Sequence, residues 1–136
     1  MEQDYCSNIV KIEGDFLTLN YIKGIFEKES IFHHIKNINI SSNENENKLE
    51  KIKHWGVTED ISNDDVFVNL DFESKYLYLH FDTQKSCPLP VTQELSKKYK
   101  NIIIEHTIYS NCGFYVSYFI CSGQVLGFIE DFFINT

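Results

Sequence analysis

The chain has 136 residues, a formal net charge of −8, a hydrophobic share of 43% and an aromatic share of 15%. This length and apolar content are typical of one globular domain with a real core, and they exclude a disordered chain. A nucleic-acid binder needs excess cations to displace the counterions of the phosphate backbone, so we expect no nucleic-acid partner. The acidity is typical of a cytosolic protein, and it also suits an inhibitor that binds a basic partner.

Signals for export and for membrane insertion are missing from the sequence. No stretch reaches the roughly 20 apolar residues that span a bilayer. The first residues, MEQDYCSN, carry acids where a secretory signal has a basic region. We therefore expect a cytoplasmic protein without membrane contact, in which the four cysteines are reduced. No pair of them has the CxxC spacing of a zinc site.

The first half of the chain predicts a strand, a helix and a loop. Residues 7–14 alternate branched apolar and polar side chains, as strands do. Asp15 can accept hydrogen bonds from the first free amides of a helix that runs to about Glu29. Residues 31–40 favour a short strand at a sheet edge. Residues 41–48, SSNENENK, predict a solvated loop.

The second half predicts mostly strands, after a short helix over residues 47–54. Residues 65–72 and 76–82 alternate in polarity and predict an antiparallel hairpin. Pro88 and Pro90 belong in the first turn of the next helix, where a missing amide donor does no harm. Three more strands complete the chain, and the last two are joined by a tight turn at Ser122-Gly123: 101–108, 114–121 and 124–129.

The predicted element order is β-α-(β)-β-β-α-β-β-β, in which the bracketed strand is the ambiguous one. Two strand–helix–strand halves in a mainly antiparallel sheet, with two helices on one face, form the ferredoxin-like arrangement. We therefore predict an α+β protein with a single ferredoxin-like domain over residues 1–136. A polar loop insertion at about 41–48 and an extra C-terminal strand complete it.

Several short segments carry a resemblance to a known family. Cys6-Ser7-Asn8 opens the first strand, Gly14-Asp15 precedes the helix, and Trp55-Gly56 stands where the family has a Trp-Gly-Thr-Lys pattern. The longest segments are Phe81-Asp82-Thr83 and Ser86-Cys87-Pro88-Leu89-Pro90-Val91. On these residues the chain resembles the phage- and plasmid-borne proteins of the YubB type. The resemblance implies a ferredoxin-like fold and a mobile-element origin, and it implies no activity.

Eight residues of these segments are candidates for one binding groove: Trp55, Gly56, Phe81, Asp82, Thr83, Cys87, Pro88 and Pro90. The lone tryptophan and the end of a central strand would form one wall of a recognition surface. In the structural alternative, Trp55 fills the core and Asp82 or Thr83 caps the helix that follows.

Cys87 is the best candidate for a reactive side chain. It precedes Pro88 near a helix N-terminus, where the helix dipole lowers a thiol pKa. His80 or His106 would serve as a base, although strand alternation puts His80 on the face opposite Phe81. Because no third orienting group is visible, an inert thiol is favoured. A cysteine-dependent enzyme that uses Cys87 with a nearby histidine is the alternative.

Metal and cofactor sites are not expected. His33 and His34 with His54 or Cys112 would bind a metal only by accident of folding, because adjacent strand residues point to opposite faces. No phosphate-binding, dinucleotide-binding or nucleophile-elbow motif occurs. We therefore predict a small acidic protein-binding module of the inhibitor or immunity type, without catalysis, for a partner with a basic surface. The C-terminal segment FIEDFFINT is expected to dock on the core.

Overall fold

The computed structural model describes residues 4–111 and 113–132. The strands are β1 (Tyr5–Glu13), β2 (Phe67–Asp71), β3 (Tyr76–Gln84), β4 (Ile103–Ser110), β5 (Phe114–Cys121) and β6 (Gln124–Phe132). The helices are α1 (Phe16–Ile25), α2 (Ile31–Ile35), α3 (Glu44–Trp55) and α4 (Leu89–Lys98), and a 3-10 turn spans Asn63–Asp65. No helix within the described ranges has the length and apolar character needed to cross a membrane.

The six strands form one sheet in the order β2-β3-β1-β4-β5-β6. Every neighbouring pair is antiparallel. The first four strands, with α1 and α4 as their crossovers, have the ferredoxin-like arrangement, in which β1 lies between β3 and β4. The predicted α+β, ferredoxin-like fold is confirmed. The β5–β6 hairpin then extends the sheet beyond β4, so two C-terminal strands are added rather than one.

The prediction of an edge strand over residues 31–40 is wrong, because residues 31–35 form helix α2. The free backbone N–H groups at its N-terminus donate to a side chain that is distant in the sequence. The carboxylate of Asp60 accepts the backbone N–H of Phe32 at 2.6 Å and that of His33 at 3.0 Å. The helix also buries Ile31, Phe32 and Ile35 against the core. Helix α1 begins after the predicted cap Asp15 but ends at Ile25, four residues earlier than expected.

The predicted polar loop over 41–48 is wrong in its second half, because α3 begins at Glu44. The side chain of Asn43 accepts the backbone N–H groups of Asn45 and Glu46 and so forms a regular N-cap. Glu44 and Glu46 lie in the first turn, where negative charge favours the helix dipole. The low-complexity composition therefore hides a capped helix rather than a loop.

The helices lie on one side of the sheet and bury its apolar face. On β1 the side chains of Val10 and Ile12 belong to the main core, with Leu19 and Ile22 of α1 and Leu95 of α4. Strand alternation turns every second residue to the other side, where no helix of the described chain packs. We call this other side the open face. It carries the odd-numbered residues of β1 and β4 and the even-numbered residues of β3.

The C-terminal hairpin is anchored to α4 through its turn. Ser122 and Gly123 both have positive φ, 51° and 79°, as a two-residue hairpin turn requires. The backbone N–H of Gly123 donates to Oγ of the buried Ser96 at 2.8 Å. The predicted turn is confirmed. The predicted docking of FIEDFFINT is wrong for its first two residues, because Phe128 and Ile129 are exposed by 60% and 56%. The side chains of Phe132 and Phe133 lie outside the described part of the structure.

Gly56 joins the end of α3 to the start of α4. It ends α3 in the left-handed conformation, with φ of 81°. A Cβ at this position would lie 2.3 Å from the carbonyl oxygen of Cys87 and 2.9 Å from Cδ of Pro90. Only glycine therefore permits this close approach of the two chain segments.

We expect Gly56→Ala to lower the free energy of unfolding by about 2 kcal/mol or more, because it combines left-handed strain with a backbone clash. Gly24→Ala in α1 is the matched control. A Cβ there meets nothing within 4 Å, so we expect a gain of about 0.5–1 kcal/mol from helix propensity. Urea unfolding followed by Trp55 fluorescence measures both. Equal effects of the two substitutions would contradict the assigned role of Gly56.

Candidate functional site

Several of the predicted groove residues lie in the interior beneath one end of the sheet. Trp55 and Phe81 are both 3% exposed, and each ring packs edge-on against Phe32, at centroid distances of 6.1 and 5.9 Å. The indole N–H of Trp55 donates to the carbonyl of Lys36 at 2.8 Å. This contact ties the end of α3 to the end of α2, so the tryptophan acts as core packing with a satisfied polar edge.

The other predicted groove residues are divided between the two sides of the sheet. Thr83 and Pro88 are buried on the helix side, where Gly56, Cys87 and Pro90 are partly buried. Asp82 is exposed and lies on the open face, because it pairs with Ser7 of β1. The structure therefore brings seven of the eight residues together on the helix side and separates Asp82 from them.

A cleft of about 400 Å³ lies beside this region, and of the eight residues it includes only Asp82 and Thr83. Carboxylates give it an acidic lining: Glu59, Asp60, Asp65 and Asp82. Two of them already hold the local chain. Asp60 caps α2, and Asp65 accepts the backbone N–H and the hydroxyl of Ser62. The described residues contain no group of three or more His, Cys, Asp or Glu side chains placed to hold a metal ion.

A chain of hydrogen bonds runs from the sheet to Gly56. The amide nitrogen of Asn8 donates to Oγ1 of Thr83 at 3.0 Å and lies 3.3 Å from the carbonyl of Phe81. The Thr83 hydroxyl donates to the carbonyl of Ser86 at 2.8 Å. The Ser86 hydroxyl in turn donates to the carbonyl of Gly56. These contacts hold the Ser86 loop and the α3–α4 junction against the strands.

The same asparagine fixes the state of His106. Since the Asn8 nitrogen faces acceptors, its Oδ1 accepts from Nε2–H of His106 at 2.9 Å. In the neutral ring Nδ1 is then an acceptor, and the single proton of the Thr92 hydroxyl faces both this nitrogen at 2.9 Å and the carbonyl oxygen of Leu89 at 3.1 Å. His106 is fully buried, and this burial lowers its pKa from 6.5 to about 3. The imidazole therefore links strands β1 and β4 to helix α4 as a neutral group.

Cys87 lacks the surroundings of a catalytic thiol. The backbone N–H of Leu89, at the start of α4, donates to its sulfur and lowers the pKa, but burial outweighs this contact and raises the pKa to about 12. Its neighbours are Cys6, Ile108 and Val116. His80 faces the open side, where its Nε2 lies 2.7 Å from the Ser7 hydroxyl, and both nitrogens of His106 are already bonded. This geometry favours the inert thiol over the cysteine-dependent enzyme.

The open face is the second candidate site, and it is a surface rather than a pocket. Large apolar side chains remain exposed on it: Tyr5 by 47%, Ile9 by 38%, Phe67 by 67%, Ile103 by 49% and Tyr109 by 39%. Ring pairs lie beside them, Tyr76 with Tyr78 at 6.0 Å and Tyr109 with Tyr115 at 5.6 Å between centroids.

Charge on the open face is unbalanced. Across β1 to β4 it carries one lysine, Lys11, and four acids: Glu13, Asp71, Asp82 and Glu105. The ammonium of Lys11 lies 4.2 Å from the centroid of the Tyr76 ring. The surface therefore combines aromatic rings with carboxylates, an arrangement that attracts cationic groups.

Sequence reasoning missed the Asn8–His106 network. A signal for it exists, because alternation places Asn8 on the same side of β1 as Val10 and Ile12. A polar residue on an apolar side needs a buried partner. The partner itself, 98 residues along the chain, becomes visible only when β4 lies beside β1.

No family model matches this chain, and no curated protein matches it either. Among solved structures, the crystal structure of the protein api92 from Yersinia pseudotuberculosis, of the DUF1281 family model, has a similar fold. The TM-score is 0.69 at 7% sequence identity, with 99% of each chain covered. At this identity the likeness concerns the fold alone. The resemblance to the YubB type stays a prediction.

We expect the buried neutral His106 to make the protein acid-sensitive. Unfolding exposes a ring that binds a proton below its ordinary pKa of 6.5, whereas the folded pKa is about 3. This contribution to stability is therefore present above pH 6.5 and is lost as the pH falls toward 3, by up to about 1.4 kcal/mol per pH unit. In His106→Gln this component of the pH dependence disappears.

Urea unfolding at pH 7, 6, 5 and 4 measures the slope for each variant, and the slope matters rather than the absolute stability. His34→Gln, a substitution of an exposed histidine on α2, is the control that keeps the wild-type slope. An identical slope in wild type and His106→Gln would show that His106 is not held neutral by burial.

Because its pKa is raised to about 12, Cys87 should react slowly with iodoacetamide at neutral pH, no faster than the partly buried Cys121. Peptide mass spectrometry over a time course measures both rates, and labelling in guanidinium gives the unfolded reference. If Cys87 alone reacts rapidly, and still does so in Cys121→Ser, the thiol is not inert and the cysteine-dependent enzyme is favoured instead.

Proposed function

We propose that this protein is a protein-binding module of the inhibitor or immunity type that acts without catalysis. Its partner is a protein with a basic surface, which docks on the open face. The observation that supports this proposal is the uncovered face of the six-stranded sheet, on which exposed rings and aliphatic side chains lie beside carboxylates. Sheets that only face water normally carry polar side chains on that side.

The apolar part of the open face gives a partner area to bury. Ile9 lies on strand β1 inside the sheet. Tyr109 of β4 pairs with Ser7, the next residue of β1 on the same face, so the two exposed side chains lie close together. Tyrosine is enriched in protein interfaces because it combines a large apolar ring with a hydroxyl and loses little conformational entropy. Exposed apolar groups clustered on one face, rather than scattered singly, indicate an interaction surface.

The charged part of the open face selects a basic partner. The whole chain has a net charge of −8, and four acids face one lysine on strands β1 to β4. Arginine and lysine of a partner can pair with these carboxylates and lie over the tyrosine rings, as Lys11 does over Tyr76 within the chain. The same carboxylates repel phosphates, so an aromatic platform for RNA bases is disfavoured.

Location and origin belong to the same proposal. A cytoplasmic location is supported by the net charge of −8, which is typical of cytosolic proteins. A mobile-element origin is supported only by the resemblance to the YubB type. Neither point is needed for the binding surface itself.

Two double variants with equal changes in net charge test the proposal. Asp82→Lys with Glu105→Lys reverses charge on the open face, whereas Glu27→Lys with Glu29→Lys does so at exposed positions between α1 and α2. Each variant and the wild type are used as bait in a lysate of the native host. We expect one basic protein on the wild type and on the control, and its loss from the open-face variant.

The captured protein is then purified and titrated by calorimetry over a series of salt concentrations. We expect the open-face variant to raise the Kd at least about tenfold relative to the control, because charges at the contact itself are reversed. Equal weakening by both double variants would mean that only net charge matters. Unchanged binding by the open-face variant would place the partner elsewhere on the molecule.

A further inference from the structure

Among the described residues, strand β6 is a long edge of the sheet with no strand beyond it. It spans nine residues, Gln124–Phe132, and pairs only with β5 in the sheet order. The other edge, β2, has five residues. An edge strand presents unpaired backbone N–H and C=O groups, which can bond to a further strand. The β6 edge therefore presents more backbone groups for pairing than the β2 edge does.

Most of β6 lacks the features that normally protect an edge, because its two charged residues, Glu130 and Asp131, lie near its C-terminal end. QVLGFIEDF contains no lysine, no arginine and no proline. Leu126, Phe128 and Ile129 are exposed by 67%, 60% and 56%. The register shift opposite Phe119 and Ile120 falls early in the strand, so the pairing from Gly127 onward is regular. A long, apolar and regular edge invites pairing.

Within residues 4–111 and 113–132, little covers either side of β6 beyond its turn. Helix α4 meets the hairpin at Gly123, through Ser96 and Lys97. Farther along, Phe128 lies beside Tyr118 on the helix side, with 6.1 Å between ring centroids, and is still mostly exposed. Ile129 is exposed on the opposite side, and a Cβ at Gly127 would meet nothing within 4 Å. A further strand would satisfy the backbone of β6 and place its own side chains beside those of β6 on both sides of the sheet.

We propose that the occupant of this edge is the β6 strand of a second copy of the chain, paired antiparallel across a two-fold axis. A two-fold contact requires a self-complementary surface, and the charges of β6 meet this requirement. Its acids, Glu130 and Asp131, lie near one end of the strand. Antiparallel pairing would place the acids of the two copies at opposite ends of the contact. The uncharged segment around Phe128 of one copy would then lie beside the same segment of the other copy.

The inference does not depend on the proposed function. Pairing would join two six-stranded sheets into one of twelve strands and place both open faces on one continuous surface. A basic partner could then contact either copy, and loss of dimerisation would leave each open face intact. Dimerisation and partner binding are thus separable in experiment.

The test is sedimentation velocity of the full chain from low micromolar to several hundred micromolar concentration. We expect the mass to rise from 16.0 kDa toward twice this value. Phe128→Lys puts like charges opposite each other at the contact and should raise the dimer dissociation constant at least about tenfold. Phe67→Lys, at a position of similar exposure on the other edge, should leave it unchanged. Circular dichroism confirms that each variant is folded.

Hydrogen exchange of the wild type needs no variant. On concentrating the protein, the amides of β6 should gain protection while those of β2 do not. A monomer at every concentration would overturn the proposal. So would a dimer that dissociates in Phe67→Lys but not in Phe128→Lys, or a dimer without added protection in β6.

Discussion

The hydrogen bonds of the buried pair Asn8 and His106 connect every layer of this fold. Asn8 lies on the central strand and bonds to β3 through Thr83 and to β4 through His106. His106 in turn bonds to Thr92 of α4. Because each buried side-chain polar atom of this network has a hydrogen-bond partner, the network fixes the positions of strand and helix instead of costing desolvation energy. Apolar packing alone would tolerate sliding of α4 along the sheet.

The network also explains why the residues with the most site-like sequence pattern are mainly structural joints. Gly56 needs its left-handed backbone to let Cys87 and Pro90 approach, and Ser86 bonds to its carbonyl. Trp55 closes the neighbouring core. Side chains committed to such contacts cannot also rearrange around a substrate. The recognition role that we propose lies on the opposite side of the same strands, where side chains are not needed to hold the fold.

An element could be predicted from the sequence when the residues that stabilise it are close to it in the chain. Asp15 caps α1 from the adjacent position, so that helix was predictable, as was the hairpin turn at Ser122-Gly123. Helix α2 was not, because its cap is Asp60, 28 residues away. Of the groove residues, Asp82 had to fall opposite Phe81 by strand alternation, whereas the partners of Thr83 and Cys87 depended on tertiary packing.

The division of the sheet into a structural side and an open side has a consequence for mechanism. Among the described residues, His106 is neutral and Cys87 is held as a thiol, so chemistry on the helix side would first have to break the contacts that hold the fold. On the open face, carboxylates and rings can pair with the cations and apolar groups of a partner without disturbing Asn8 or His106. A sheet held rigid by its buried contacts loses little entropy on docking, and this suits the recognition role that we propose for the side chains that the fold leaves unused.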